Sequence, residues 1–462
     1  MSVISEIQEQ FDAVASSFGA SILANDALEA NVSALHSLVT NSGDTLNSSG
    51  SNASSVTQYG HTWQFSQSHV VGQYVNGDWW VKGPVVITKI TPESKSGSRI
   101  MNGSMVNPNP ANKHQGFDNT TPQVSYVASL NVGLNISTTN PLTVNPGQSL
   151  ISTKSVTAAS QRPQVESAAI LTVVGVEPPP GSFRPHYCQG VKLEYNISSV
   201  DFGLLKNYAP VGGMPSWSQI ERNVERPYID YVPDFNSRYI HPKQNMANYG
   251  RDICRDLAIA AVAVHTNHSL AQKRKTIIGL IQIGIDNTGV VDNGGKNNFK
   301  ANGGHQSGRL WPILFAGLML GNDHMKRVRD RAFFGETDQC FYVAETSPGV
   351  YNNGHGHYTA AHKGIPEWGL RHRTEPNRDN RSWKAKYREC CTALVWWGNA
   401  FAARAMGATA LWNNDAFFDY MPRYWHGAKK WSGPFLYTGS RWPLSMYEKY
   451  FDPNEENWAV QL

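Results

Sequence analysis

A heptad seam runs through the first 39 residues. Counted from Ile4, steps of three and four land on Ile4, Ile7, Phe11, Val14, Phe18, Ser21, Asn25, Leu28, Val32, Leu35 and Val39, and nine of these eleven positions are apolar. A repeat of about 3.5 residues keeps one stripe facing a partner helix, as a coiled coil requires. β-Branched residues occur at both a and d positions, and Asn25 sits at an a position. That mixture favours more than two strands and fixes register at some cost in stability. The expectation is a homotrimer through residues 1–40, with a stalk roughly 50–60 Å long. The competing reading is an amphipathic helix lying on the chain's own core, since e and g positions carry few paired charges and Gly19 weakens the middle.

The chain has 462 residues, enough for two or three domains with a full core. Charged residues make up only 16 %, while Gly, Asn, Ser and aromatics are abundant. That balance suits work on neutral or carbohydrate surfaces outside the cell. The net charge of +4 is weak and the basic residues form no runs, so no nucleic acid partner is expected. No apolar stretch is long enough to span a membrane. The first residues lack the pattern of a secretory signal peptide. An extracellular or virion-associated location is therefore expected either for a mature form that starts here or by another route, such as release with virus particles. Five cysteines show no CxxC spacing, so neither a disulfide framework nor a zinc site is indicated.

Residues 41–58 are rich in Ser, Asn and Gly and read as a flexible linker. Residues 59–177 then carry short β-branched and aromatic runs separated by turn residues, including Asn76-Gly77-Asp78. The spacing predicts a β-sandwich. Pro178-Pro179-Pro180-Gly181 reads as a stiff hinge. Residues 182–462 switch to helical periodicity, with helices expected over 248–266, 272–286, 310–320, 323–334, 383–406 and 413–425. Residues 310–320 are apolar nearly all round and should be buried on every side. Too few helices are present for a complete ring, so the expected fold is an all-α incomplete (α/α) toroid.

Four segments carry candidate chemistry. In the first, Asn302-Gly303-Gly304-His305-Gln306-Ser307-Gly308-Arg309-Leu310-Trp311, His305 and Arg309 are four apart at the start of a buried helix. They share one face, and the helix start adds partial positive charge that attracts a carboxylate. A capped helix start whose His bonds a carbonyl explains the same spacing. In the second, Gly364-Ile365-Pro366-Glu367-Trp368-Gly369-Leu370-Arg371-His372, the glycines and proline suggest a loop, and Trp368 offers a face for stacking on a pyranose. Glu367 and Arg371 suit either substrate contact or a structural ion pair. The third, His355-Gly356-His357-Tyr358 with His362, has metal-like spacing but no carboxylate or thiol to complete a site, and a Gly/His loop lining a groove is favoured. The fourth, Asn248-Tyr249-Gly250-Arg251-Asp252, opens a helix and offers Tyr249 as a proton donor or as a buried aromatic. No motif for a serine hydrolase, nucleotide or dinucleotide site is present, and no metal or cofactor is expected.

The runs NGGHQSGRLWPILFAGLML, PEWGLRH and YRECCTALVWW, with GHTWQFSQSHVVGQYVNGDWWVKGPV upstream, resemble uncharacterised polysaccharide-degrading proteins of marine bacteria over roughly residues 59–440. A heptad stalk in place of a signal resembles the modular exchange of bacteriophage tail proteins. More loosely, the helical half is similar to α/α-toroid polysaccharide lyases. That likeness implies a Tyr/His acid–base pair with Asn, Arg or Glu neutralising a uronate carboxylate. The resulting expectation is a lyase that cleaves an acidic polysaccharide by β-elimination, with other virion tail proteins as further partners. His305 and Tyr249 would be catalytic. Asn248, Arg251, Asn302, Arg309, Trp311, Tyr358, Glu367, Trp368, Arg371 and His372 would bind substrate. The alternatives are a glycoside hydrolase using Glu367 with a second carboxylate such as Asp252, or a non-catalytic receptor-binding tail protein.

Overall fold

The computed structural model describes residues 50–245, 250–302, 304–343, 363–368, 391–431 and 441–451. The heptad stalk lies outside the described residues.

Eight strands form one sheet: β1 (Ser51–Gln58), β2 (His61–Gln73), β3 (Trp79–Lys82), β4 (Val85–Thr91), β5 (Ser104–Val106), β6 (Leu142–Val144), β7 (Ser149–Ser155) and β8 (Val165–Val174). Their order is β6-β4-β2-β3-β8-β7-β5, with β1 also paired to β2. Every pairing is antiparallel except β3 with β8. The strand β2 pairs with β1 from Ser51↔Val71 to Gln58↔His61, with β4 through Thr62–Phe65, and with β3 through Val71–Gln73.

Two expectations change here. Residues 51–58 are a strand and not part of a linker, because their backbone groups pair with β2 and Val56 drops into the core. The β-region is also a single curled half-barrel and not a two-sheet sandwich. One side of the curl makes its own core from Trp63, Val81, Ile87, Leu150, Leu171 and Val173. The opposite side of β8, carrying Val165, Ala168 and Ile170, packs with the helices in a second, larger core. Helices thus cover the face that a second sheet would cover. This explains why β8 is apolar almost throughout, as a strand buried on both faces must be.

Ten α-helices follow among the described residues: α1 (Trp217–Val224), α2 (Gly250–Ala263), α3 (Leu270–Val290), α4 (Leu310–Met319), α5 (Asp323–Lys326), α6 (Gly335–Asp338), α7 (Trp397–Ala405), α8 (Thr409–Trp412), α9 (Asp415–Trp431) and α10 (Arg441–Phe451). Ser216 and Gln219 close a capping box on α1, and the Ser269 side chain caps α3. Every residue of α4 except Leu318 is buried. It lies against α3 at a very short separation: a Cβ on Gly284 would come within 2.2 Å of the Pro312 carbonyl oxygen. Two expected helices are shorter than their periodicity suggested. Residues 323–334 break into α5 and a 3-10 turn at Val328–Asp330, and a 3-10 turn at Ala393–Val395 precedes α7.

The segment after the expected hinge is not exposed. Residues 181–188 are all buried, and Phe183, Tyr187 and Cys188 belong to the core shared by β8 and the helices. Within this segment Arg184 reaches Asp78 at the β2–β3 turn and Asp286 on α3. No described helix is long and apolar enough to cross a membrane.

Candidate functional site

The segment Asn302–Arg309 meets the 3-10 turn Asp234–Tyr239 and the start of α2. Three polar contacts hold this junction. The Asn302 side-chain amide donates to an Asp234 carboxylate oxygen, and the Gln306 amide donates to the Asp234 carbonyl. Gln306 also donates to the Ser237 hydroxyl at 3.2 Å. At Gly250, a Cβ would lie 2.3 Å from the His305 carbonyl oxygen, so α2 starts directly against the His305 backbone.

Arg309 anchors the junction from below. Its Nε and Nη2 donate to Asp230 at 3.0 and 3.1 Å, and its Nη1 donates to the Ser307 and His305 carbonyls at 2.8 and 3.1 Å. Burial pushes the Asp230 carboxyl up, but the guanidinium more than offsets this and holds it below the usual carboxylate range. Arg309 is 1 % exposed. This corrects the expectation that it meets a substrate carboxylate: its charge is spent on a buried partner. Trp311 is likewise interior, on α4 with its ring 6.0 Å from Phe315, which corrects the expectation of an open face for substrate.

His305 behaves differently. It is half-buried, at the surface end of the same loop. Its Nε2 lies 3.4 Å from Nη1 of Arg238, which donates to the ring's lone pair, and its ring faces Phe235 at 6.2 Å. Arg238 in turn lies over the Tyr239 ring at 5.2 Å, and its Nη2 donates to the Tyr239 hydroxyl at 3.4 Å. Imidazole, guanidinium and phenol therefore stand in a row, with Arg238 in the middle. Arg238 and Tyr239 escaped the sequence reading, because the turn that holds them has no periodic signal. Their adjacency in Ser237-Arg238-Tyr239 is the only local cue.

The described part of the second candidate segment is interior from Ile365 to Trp368. Pro366–Trp368 forms strand β10, paired with β9 (Cys340–Tyr342) in the register Cys340↔Trp368. Trp368 is 1 % exposed and its indole N–H donates to Gln339 at 2.5 Å. It is a core tryptophan and not an open stacking platform, because β-pairing turns its ring inward. Glu367 is 5 % exposed, accepts from its neighbour's backbone N–H at 2.8 Å and lies 3.4 Å from Arg423. Its expected service as a substrate ligand or hydrolase carboxylate is corrected on this ground.

Arg251 is half-buried on α2, 3.7 Å from Asp252. Asp252 also faces Arg255 at 3.3 Å, and Arg255 donates to Asp256 at 2.8 Å. Burial lifts the Asp256 carboxyl to about 6. Asn248, Tyr249, Tyr358, Arg371 and His372 lie outside the described residues, as does the His355–His362 run. Among the described residues, no three His, Cys, Asp or Glu side chains gather to hold a metal ion. No known family, curated protein or solved structure matches the chain.

Proposed function

We propose that the chain is a carbohydrate-active protein that cleaves a uronate-containing polysaccharide by β-elimination at the His305–Arg238–Tyr239 row. The observation that carries this reading is the position of half-buried Arg238, within reach of the half-buried His305 imidazole on one side and the buried Tyr239 phenol on the other. In the bound state the guanidinium turns to the uronate carboxylate and draws charge from C5, which acidifies the C5 proton. His305 Nε2, kept as a lone-pair acceptor beside Arg238, takes that proton. The electron pair forms the C4=C5 double bond, the bond from C4 to the bridging oxygen breaks, and a tyrosine hydroxyl protonates the departing oxygen. Tyr239 is the described candidate for that donor, and Tyr249 precedes the Gly250 that touches His305.

In the same proposal the helical region is an incomplete (α/α) toroid, supported by adjacent packed pairs such as α3 with α4 and α2 with α7. The seam in residues 1–40 makes the chain a homotrimer displayed outside the cell on a phage tail, with other tail proteins at the stalk. Incubation with a panel of algal and bacterial uronate polymers tests the activity. A rise in the ultraviolet absorbance of an unsaturated uronate is the expected result. New reducing ends without that absorbance would replace elimination with hydrolysis.

A further inference from the structure

Beside the His305 row the chain exposes an aromatic ring between two lysines. Phe333 is 49 % exposed, whereas Phe334 is buried and stacks on Phe299 with ring centroids 5.8 Å apart. The Phe333 backbone N–H donates to the Lys296 carbonyl at 3.1 Å, and Lys300 Nζ lies over the Phe333 ring, 5.0 Å from its centroid. Lys296 is exposed and Lys300 half-buried, and among the described residues neither ammonium pairs with a carboxylate. Charge around the ring does not cancel. Asp292 is engaged by Arg331 at 2.9 Å and by His324 at 2.8 Å, and Asp338 by Arg329 at 3.2 Å. That leaves Asp330, just ahead of Phe333, and Asp234, whose carboxylate accepts from the neutral Asn302 amide. Lys296, Lys300, Arg327 and Arg238 outnumber them. The patch also reaches the row. A Cβ on Gly335 would lie 3.4 Å from the Ala301 Cα and 3.6 Å from the Gln306 carbonyl carbon. Two residues of chain span at most about 7 Å, so the Phe333 Cα stands within roughly 13 Å of the Gln306 backbone. Ala301, Asn302 and His305 are each partly open, which continues the edge from Lys300 to the row.

We propose that Phe333, Lys300 and Lys296 form a subsite for a further unit of an anionic polysaccharide, with a ring face on Phe333 and the carboxylate at the lysines. An ammonium over one face of the phenyl ring leaves the opposite face for the C–H side of a pyranose. The excess of cations selects an acidic unit over a neutral one. A lone exposed ring suits one sugar better than a nucleic acid strand, whose successive bases stack on successive aromatic side chains. An acidic peptide matches the charge but brings no flat face to the ring. The inference deepens the proposed function and rests on its class of substrate, but not on its cleavage chemistry.

Calorimetric titration of the full chain and of its His305→Ala variant is the test, with hexamers of galacturonate, mannuronate and guluronate, with cellohexaose and with poly-glutamate. At least one uronate hexamer should bind about tenfold or more tightly than cellohexaose or poly-glutamate. Phe333→Ala, at an exposed position, should keep the melting temperature and weaken that binding about tenfold or more, while Phe333→Trp retains it. Lys300→Gln should weaken it as well, and its own melting curve separates lost binding from lost fold. Uronate binding that depends on Phe333, in a chain that releases no unsaturated product, keeps the subsite and removes the elimination. Unsaturated product with parent-like binding in Phe333→Ala does the reverse. The proposal is overturned by no binding of any uronate hexamer at millimolar concentration, by equal binding of cellohexaose or poly-glutamate, or by Phe333→Ala binding as the parent does.

Discussion

Arg184 and Asp286 meet as a two-point ion pair in the interior, Nη1 to Oδ1 at 3.0 Å and Nη2 to Oδ2 at 2.6 Å, with neither side chain exposed beyond 1 %. The remaining edge of the guanidinium, Nε, donates to Asp78 at 2.6 Å. One cation therefore binds a carboxylate from the sheet and one from α3. Only a planar fork serves both. Arg184→Ala would leave two buried carboxylates without a cation. It should cost about 3–5 kcal/mol in urea unfolding, and Arg184→Lys should recover only part of that. A loss under about 1 kcal/mol would show that water satisfies the carboxylates.

His305 and Arg309 share one loop and should separate cleanly. His305→Ala is expected to keep the melting temperature within a few degrees and to lower cleavage by about 10²-fold or more. Arg309→Gln should instead lower stability by about 3–5 kcal/mol, because it strands the buried Asp230. Arg238→Gln should act on cleavage, as His305→Ala does. Parent-like cleavage by both His305→Ala and Arg238→Gln would remove the row from the chemistry.

Trp368→Ala tests a core role. Removing a fully buried indole whose N–H bonds Gln339 should cost about 3–5 kcal/mol. A variant with an unchanged melting curve and weaker glycan binding would return Trp368 to the ligand surface.

Glu336 should tie stability to pH. Burial lifts its carboxyl from 4.5 to about 7, and its Oε1 accepts the Leu310 N–H at 3.3 Å. The folded value exceeds the unfolded one, so its contribution is full below about pH 4.5 and is lost as pH rises through about 7. Buried His241, driven to about 4, and His265, driven to about 3, act oppositely: their contribution is present above pH 6.5 and lost as pH falls. Glu336→Gln isolates the first slope. It should match the parent near pH 4 and exceed it by roughly 2–3 kcal/mol above pH 7, measured as unfolding free energy across the range. A parallel pair of curves would place the titration elsewhere.

The sequence made α4 plain, because ten residues with almost no polar side allow nothing but a buried helix. Periodicity also announced α2 and α3, whose ends lie within a few residues of expectation. What escaped was pairing at long range. Ser and Asn content made residues 51–58 look unstructured, yet β2 supplies the partners that a polar strand needs. Glycine and proline around Trp368 suggested a loop, while Cys340, distant in sequence, held it in a sheet. Arg309 looked available because Asp230 stands 79 positions away. The glycine-rich setting singled out His305, but Arg238 and Tyr239 approach it from a turn without a pattern.

The shared core has a consequence for heredity. Because β8 gives one side to the curl and the other to the helices, neither half presents a finished surface to a new neighbour. A recombination crossover between them would expose Val165 and Ile170 on one fragment and the facing helices on the other, and would strand Arg184 from one of its two carboxylates. The sheet and the helices packed on β8 should therefore pass between genomes together.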